Sequence, residues 1–389
     1  MKNINSKNLA YFTEKFDDIR PYFDDEIPAA MRRIAASEYF PAIAGFVFPE
    51  KELSEAQKIL SSFTNIYDFQ VGAMYAFNYQ VLKQSAGEFT YSGTEHLDPA
   101  KSYLFVSNHR DIVLDSSLLQ FMLHLEGFRT TEITFGSNLM TSQLIIDIGR
   151  SNKMFKVMRG ENPREFYKTS LHLSEYIRYT ITQRDESIWI AQRSGRTKDG
   201  NDATDQGILK MFNMSGGKDV AQSLHELNIA PVAISYQYEP CDFLKTREMY
   251  LSRNGAKYMK EKNEDFISVL NGISQPKGNI HISICEPLRL EELQSISNGK
   301  STNDFYKGVV DLMDQRIYSN YKLHDTNYIA HDIRSGTNTF DSFYSSNSFN
   351  SFYKQYQQVL DKFETDKEIL SQIFLGIYAN SVDNFYKNI

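Results

Sequence analysis

Cysteine is scarce in this chain, and positive charge is in deficit. The 389 residues include two cysteines, Cys241 and Cys285. Two are too few for a disulfide scaffold or a four-cysteine zinc site, and such scarcity is typical of a reducing compartment. The chain has 42 Lys and Arg residues against 49 Asp and Glu residues, a formal net charge of −7. This charge excludes binding to nucleic acid through bulk electrostatics, so any anion site must be a local patch.

Long apolar runs are missing as well. The longest, Tyr39 to Phe48 (YFPAIAGFVF), has ten residues and contains Pro41, whereas a helical membrane span needs about 20. Residues 1–16 are polar and contain no apolar signal core. We therefore expect a cytoplasmic protein that attaches at most peripherally to the inner face of the cell membrane.

Short apolar segments recur from residue 102 onwards, and helical patterns separate them. Six of them predict buried strands: SYLFVS (102–107), TEITFG (131–136), MFKVM (154–158), SIWIA (187–191), APVAIS (230–235) and HISIC (281–285). The clearest helix spans Pro163 to Gln183, with Asn162 as its N-cap. This alternation predicts an α/β fold with a central, mostly parallel sheet flanked by helices.

The two ends of the chain differ from its middle. We predict a helical N-terminal region over 1–90, an α/β domain over 91–300 and a helical C-terminal region over 301–389. Within the last region, the stretch 335–352 is rich in Ser, Asn and Phe. This composition predicts a loop, followed by a helix from about Tyr353.

The turn after the first predicted strand carries the most informative residues. Asn108, His109 and Arg110 lie at the carboxyl end of that strand, where α/β proteins place active sites. A histidine there can act as a general base, and a nearby carboxylate can orient its ring. Asp111 and Asp115 lie on one helix face and are the candidates. In the alternative interpretation, Asp111 only caps the helix and His109 is an ordinary loop residue.

A second candidate segment is basic. Lys156 and Arg159 lie at a short predicted strand within residues 150–168, which contain six basic and two acidic residues. Arginine offers a planar fork that matches phosphate oxygens, so this segment could bind a phosphorylated substrate. A solvated strand face explains the same pattern equally well.

A third candidate segment is the polar loop after strand 187–191, which contains Gly195, Arg196 and Lys198. Glycine lets the backbone approach a ligand, and the basic side chains can hold its phosphate, although a surface loop is the alternative. The GxxxxGK[ST] phosphate loop is absent from the sequence. No G-x-S-x-G elbow accompanies His109 either, which argues against a serine hydrolase.

Together these segments resemble the glycerophospholipid acyltransferase superfamily, of the HxxxxD type, over about residues 90–240. That family has a strand–turn–helix with His and Asp, a strand with a phosphate-binding Arg, a Glu-Gly-x-Arg type loop and a strand with Pro before a Val/Ile run. The corresponding blocks, in the same order, are 108–110 with Asp115, 155–159, 194–197 and 230–234. Two positions depart: the carboxylate comes six residues after His109 instead of five, and Ser194 stands where the family usually has Glu.

The resemblance implies a direct acyl transfer in which His109 is the general base and Asp115 orients it, with Asp111 as the alternative carboxylate. The donor would be a thioester, acyl-CoA or acyl carrier protein, and the acceptor glycerol 3-phosphate or its 1-acyl derivative. No metal and no cofactor are implied. The residues expected to bind substrate are Asn108, Arg110, Lys156, Arg159, Gly195, Arg196 and Lys198.

Two other functions stay open at this stage. An acyltransferase for another lipid hydroxyl, such as that of an aminolipid, would not need both Arg159 and Arg196. A catalytically silent member that binds lipid is favoured by Ser194 and by the altered His–Asp spacing. A lipid acceptor also implies peripheral contact with a membrane, for which we expect exposed aromatics together with either residues 150–168 or the Tyr39–Phe48 segment.

Overall fold

The computed structural model describes residues 6–158, 160, 162–255, 258–261 and 263–387. A seven-stranded sheet lies at its centre, formed by β1 (Ala86–Ser92), β2 (Leu104–Ser107), β3 (Glu132–Gly136), β4 (Met154–Val157), β5 (Ile188–Ala191), β6 (Ile229–Tyr236) and β7 (Gly278–Ile284). The order across the sheet is β1-β7-β6-β2-β5-β3-β4. Strands β2 to β6 run parallel, β7 runs antiparallel to β6, and β1 runs parallel to β7. The mostly parallel α/β fold predicted from the sequence is confirmed.

Helices precede the sheet, alternate with its strands and follow it. Before β1 come α1 (Ser6–Phe16), α2 (Ile27–Ala35), α3 (Phe40–Val47), α4 (Leu53–Ser61), α5 (Ile66–Phe69) and α6 (Tyr75–Ser85), the last two joined by a π-helical turn, Gln70–Met74. Between β2 and β7 lie α7 (Leu114–Leu125), α8 (Gln143–Ser151), α9 (Pro163–Thr182), α10 (Gln206–Phe212), α11 (Val220–His225), α12 (Asp242–Ser252) and α13 (Glu264–Ser274). After β7 come α14 (Leu290–Ser297), α15 (Thr302–Ser319), α16 (Asp325–Ser335), α17 (Ser346–Leu360) and α18 (Lys367–Lys387).

The central strands are apolar on both faces because helices cover both. In β2, Leu104 and Val106 belong to one core with Ile177 of α9. Phe105 points to the other side and belongs to a second core with Leu118 of α7. A strand buried in this way reads as a continuous apolar run, which explains why β2 was predictable from its sequence.

The five parallel strands bring five connections to one side of the sheet. The segments 108–113, 137–142, 158–162, 192–205 and 237–241 follow β2, β3, β4, β5 and β6 respectively. We call this side the carboxyl edge. Ligand sites of open α/β sheets lie at this edge.

Two elements differ from the sequence prediction. β1 was not predicted, because it is a partly exposed edge strand (AGEFTYS) and lacks a buried strand's apolar run. The predicted loop over 335–352 is wrong in its second half, since α17 begins at Ser346. The Ser345 hydroxyl accepts a hydrogen bond from the backbone N–H of Ser348 at 3.0 Å, and Phe352 is fully buried. The serines that suggest a loop therefore cap a helix.

The longest apolar run of the sequence packs one face inside the protein. It forms α3, in which Phe40, Ala44 and Val47 are buried, and the flanking Tyr39 is its one large side chain that is strongly exposed. Within the described ranges, no helix combines the length and the hydrophobicity that a membrane crossing requires. The division into regions at 90/91 and 300/301 stays a prediction.

Candidate active site

The turn between β2 and α7 places His109 at the carboxyl edge. β2 ends at Ser107 and α7 begins at Leu114. The His109 side chain is 13% exposed, and its Nδ1 lies 2.8 Å from Oδ2 of Asp115, whose side chain is fully buried. A proton on Nδ1 that is donated to Asp115 leaves Nε2 as a hydrogen-bond acceptor. A histidine held in this way can take a proton from a bound hydroxyl group.

Asp115 is fixed by four hydrogen bonds. Besides the ring of His109, its Oδ2 accepts the backbone N–H groups of Arg110 at 2.5 Å and Asp111 at 2.9 Å, and its Oδ1 accepts the Tyr236 hydroxyl at 2.8 Å. The turn thus wraps its N–H groups around the carboxylate, which brings a residue six positions after His109 onto the ring. Burial and the neighbouring Asp115 raise the pKa of Tyr236 well above its usual value, so its hydroxyl stays a donor.

Asp111, the alternative carboxylate, does not contact His109. Its Oδ1 accepts the backbone N–H groups of Val113 and Leu114, both at 2.9 Å, at the start of α7. Its Oδ2 is buried without a hydrogen-bond partner among the described residues. Burial and the nearby Asp115 raise the pKa of Asp111. Asp111 therefore caps the helix, as in the structural interpretation of the sequence.

Asn108 joins β2 to β6 instead of facing a substrate. Its Nδ2 donates to Oδ2 of Asp202 and to the backbone carbonyl of Ile234, both at 2.9 Å, and its Oδ1 accepts the Ile234 N–H at 2.8 Å. The side chain is fully buried. Both polar atoms of the Asn108 side chain are thus hydrogen-bonded within the protein. Asn108 therefore holds the fold together and does not face a substrate, contrary to the sequence expectation.

Arg110 is likewise buried, with 5% of its surface exposed. Its guanidinium donates to Asp202 at 2.6 Å, to Glu239 at 3.0 Å and to the Ser381 hydroxyl of α18 at 3.0 Å. Burial disfavours its charge, but Asp202 and Glu239 outweigh this and raise the pKa of Arg110 well above its usual value. A cation enclosed in this network is unavailable to a substrate, which corrects the sequence expectation for Arg110.

The loop after β5 closes over the His109 turn. The backbone N–H of Thr197 donates to the carbonyl of His109 at 2.7 Å, and the N–H of Gln192 donates to the carbonyl of Ser107 at 2.8 Å. Gly195 is exposed with a φ of +77°, and a Cβ at this position would meet nothing within 4 Å. The loop thus leaves open space at Gly195, next to the histidine.

The two basic side chains of this loop have different surroundings. Lys198 forms an ion pair with Glu248 of α12 and is therefore engaged. Arg196 lies beside Asp111 and Cys241, where burial raises the pKa of both groups and the charge of Arg196 opposes that rise. Its Nη1 is buried and has no hydrogen-bond partner in the part of the chain that the structure describes. Arg196 is thus a cation beside Asp111, and its Nη1 is a donor without a partner among the described residues.

The basic segment of β4 lies farther from His109. Lys156 is half-buried and pairs in register with Phe135 of β3. Because β5 and β3 separate β4 from β2, a strand spacing of about 4.8 Å puts β4 about 14 Å from β2 along the carboxyl edge. Arg159, the predicted phosphate ligand, lies outside the described residues.

Sequence reasoning missed several residues that shape the site. Trp189 of β5 contacts the His109 ring edge-on, with ring centroids 5.6 Å apart, and its Nε1 donates to the Ser107 hydroxyl at 3.0 Å. Tyr236 and Asp202 are the other two. Trp189 and Tyr236 lie in strands that the sequence did predict, but no local pattern indicates which face of a buried strand meets a distant turn.

A cavity of about 400 Å³ lies elsewhere in the molecule. Its lining includes Tyr75, Phe121 and His124, together with Lys153 and Glu186, which precede β4 and β5. These positions are at the amino ends of the strands, opposite the carboxyl edge. This cavity therefore lies away from His109, and the candidate active site rests on side-chain geometry.

Comparisons with known proteins reach only the level of general shape. No protein-family model matches the chain, and no curated protein matches it in sequence. Among solved structures it is similar to the 1-acyl-sn-glycerophosphate acyltransferase of Thermotoga maritima, with 12% sequence identity and a TM-score of 0.36. The alignment covers 74% of this chain and 91% of that one. A likeness of this size does not establish a shared activity.

Proposed function

We propose that this protein is an O-acyltransferase that moves a fatty acyl group from an acyl thioester to a hydroxyl of glycerol 3-phosphate or 1-acylglycerol 3-phosphate. The observation that carries the proposal is the hydrogen bond of 2.8 Å between His109 and the buried Asp115 at the carboxyl edge. A second support is the loop of Thr197, which binds the His109 carbonyl and brings Arg196 beside the turn.

The proposed reaction is a direct transfer. Nε2 of His109 takes the proton of the acceptor hydroxyl while the hydroxyl oxygen bonds to the thioester carbon. The resulting tetrahedral intermediate collapses by breaking the carbon–sulfur bond, and the imidazolium returns its proton to the leaving thiolate. Asp115 stabilises the imidazolium between these two steps through Nδ1. The donor is acyl-CoA or acyl carrier protein, and the chemistry calls on no cofactor.

Arg196 is the cation we assign to the acceptor phosphate. Its Nη1 has an unused donor, and its loop is tied to His109 through Thr197. A guanidinium that holds the phosphate keeps the neighbouring hydroxyl within reach of the base, which contributes through proximity. Gly195 gives the substrate room, and Lys156 and Arg159 are proposed to add positive charge around it, whereas Lys198 is paired with Glu248.

One observation favours a different acceptor for the same chemistry. Arg110 is enclosed by carboxylates, and Lys198 is paired with Glu248. These pairs reduce the positive charge available near His109, which suits a lipid hydroxyl without a phosphate, such as that of an aminolipid. Ser194 is exposed and stands where the resembling family usually has Glu. Because that carboxylate is missing, a catalytically silent protein that binds lipid is the remaining alternative.

The test is a panel of acceptors offered with radiolabelled acyl-CoA and with acyl carrier protein. We expect labelled ester from glycerol 3-phosphate or its 1-acyl derivative, and Arg196→Gln should raise the KM for that acceptor more than it lowers kcat. Product from an acceptor that lacks phosphate, with no effect of Arg196→Gln, supports the second candidate. Absence of product from every acceptor with both donors contradicts the proposal.

A further inference from the structure

Large exposed apolar side chains border the carboxyl edge. Six of them, with exposed fractions between 44% and 64%, form what we call the apolar rim: Met158, Phe166, Tyr167, Phe266, Ile267 and Leu270. Scattered exposed apolar residues are normal on a soluble surface, but a cluster marks an interaction site.

Both halves of the rim start near the ends of β3 and β4. Met158 directly follows Val157, which pairs with Gly136 at the end of β3. Asn138 comes two residues after Gly136, and its Nδ2 donates to Asp265 in the first turn of α13 at 3.2 Å. The start of α13 therefore lies over the exit of β3, beside the exit of β4.

Helix α13 presents three of its apolar residues outward. Phe266, Ile267 and Leu270 share one exposed face, whereas Ser268 and Gly272 are buried on the opposite face. The usual arrangement of an amphipathic helix turns its apolar stripe towards the core. Here Ile273 packs against the core, whereas Phe266, Ile267 and Leu270 face away from it, so the core does not account for these three side chains.

The same helix reaches the catalytic turn. A Cβ on Gly272 would lie 2.1 Å from Oδ2 of Asp111. Only Asn271 separates Leu270 on the outer face from Gly272 at the turn that holds His109. The rim and the proposed base therefore belong to one side of the molecule.

Helix α9 contributes in a similar way. Its amphipathic face is buried at Ile177 and Ile181, but Phe166 on the same face is 64% exposed. The first turns of α9 thus extend past the sheet, where Phe166 and Tyr167 stand clear of both cores. Exposed Arg164 and Lys168 flank this pair.

We propose that the apolar rim docks on a bilayer that contains anionic phospholipid, and that it thereby presents the site of His109 to lipid substrate. Charge favours this occupant, because the exposed Arg164 and Lys168 outnumber the exposed Glu165 between them, while Glu261 and Asp265 are bound by Arg247 and Lys260. Apolar side chains flanked by basic ones are the pattern of interfacial membrane binding. The choice of the lipid substrate rests on the proposed acyltransferase function, whereas the docking itself can be tested without it.

The experiment is sedimentation of the full chain with vesicles of phosphatidylcholine, with or without phosphatidylglycerol. The rim variant carries Phe266→Ser, Ile267→Ser and Leu270→Ser. The matched control carries Tyr39→Ser, Leu53→Ser and Ile369→Ser, which replace side chains of similar exposure, 42% to 59%, outside the apolar rim. Melting curves check that both variants fold, and the control also tests the rival Tyr39–Phe48 segment.

We expect the wild type to bind the phosphatidylglycerol vesicles, and the rim variant to lose at least about tenfold in partition coefficient. Arg164→Gln with Lys168→Gln should weaken binding at about 0.05 M salt and make little difference at about 0.5 M. An equal loss in the control, or no binding by the wild type, overturns the proposal. So does a rim variant that binds vesicles normally but loses turnover with acyl carrier protein, since the rim then docks a protein. Vesicle binding through the rim in a chain without acyl transfer refutes the proposed function alone.

Discussion

The two buried carboxylates of the turn should differ sharply in their importance for catalysis. In Asp115→Asn, one carboxylate oxygen becomes an NH2 group. Oδ2 serves the His109 ring and two backbone N–H groups, whereas Oδ1 serves only the Tyr236 hydroxyl. The amide should therefore keep its oxygen at the Oδ2 position and turn its NH2 towards Tyr236, whose oxygen can accept.

That arrangement preserves the fold but removes the negative charge. We expect the free energy of unfolding to fall by no more than about 1–2 kcal/mol, since the number of hydrogen bonds is kept. The imidazolium that forms during transfer loses its charged partner, which we put at about 3–5 kcal/mol. At about 1.4 kcal/mol per factor of ten, kcat should fall by roughly 10²–10⁴.

Asp111→Asn is the matched control. Its Oδ1 caps α7 through Val113 and Leu114, and an amide oxygen can accept the same two bonds. We expect kcat to stay within about threefold of wild type, because no contact joins Asp111 to His109. The assay is acyl transfer from acyl-CoA at saturating acceptor, with denaturant unfolding of each variant. An Asp111→Asn variant that loses as much kcat as Asp115→Asn refutes the assignment of the orienting carboxylate.

Three further outcomes follow from the same contacts. Tyr236→Phe, which removes one donor from Asp115, should lower kcat about three- to tenfold without changing the acceptor KM; a change in KM alone contradicts this role. Arg110→Met should lower the free energy of unfolding by about 3–5 kcal/mol, because it leaves the buried carboxylates of Asp202 and Glu239 without their cation. Lys198→Met removes a more exposed ion pair and should lower it by less than about 1 kcal/mol. Equal losses for the two variants in chemical denaturation argue against the buried network. Burial lowers the pKa of His281 and of His324 from 6.5 to about 4, so the unfolded chain binds protons there that the folded chain does not. Stability should therefore fall as the pH drops from 6.5 to about 4, and a double Gln variant with the wild-type slope would disprove that cause.

The sheet was predictable because its central strands are buried on both faces. In β2, for example, all four consecutive residues of the segment LFVS are buried, and such a short apolar run is typical of a central strand. The edge strand β1 lacks this signal, because it has a neighbouring strand on one side only and is partly exposed to solvent. It pairs with β7, so that Ala86 lies opposite Gly278, a residue far away in the sequence. Its existence depends on pairing with β7, and no local pattern in residues 86–92 indicates that pairing.

The residue types of the candidate site were predictable from the sequence, but the hydrogen-bond partners of each residue were not. His109 and the two nearby carboxylates stand out in the sequence, yet which carboxylate meets the ring depends on how the N–H groups of Arg110 and Asp111 fold around Asp115. Arg110 shows the opposite case. Its position beside the histidine suggested a substrate contact, but Asp202, 92 positions later, encloses it. Long-range pairing of this kind leaves no trace in local spacing.

The central claim is that His109 removes the proton from the acceptor hydroxyl. The most direct measurement is single-turnover transfer from labelled acyl-CoA to the acceptor by the wild type and by His109→Gln, with His124→Gln as the control histidine. The account predicts a rate constant at least about 10³-fold lower in His109→Gln, with an unchanged melting temperature and an unaffected control. A folded His109→Gln variant that transfers acyl groups within about threefold of the wild-type rate contradicts it.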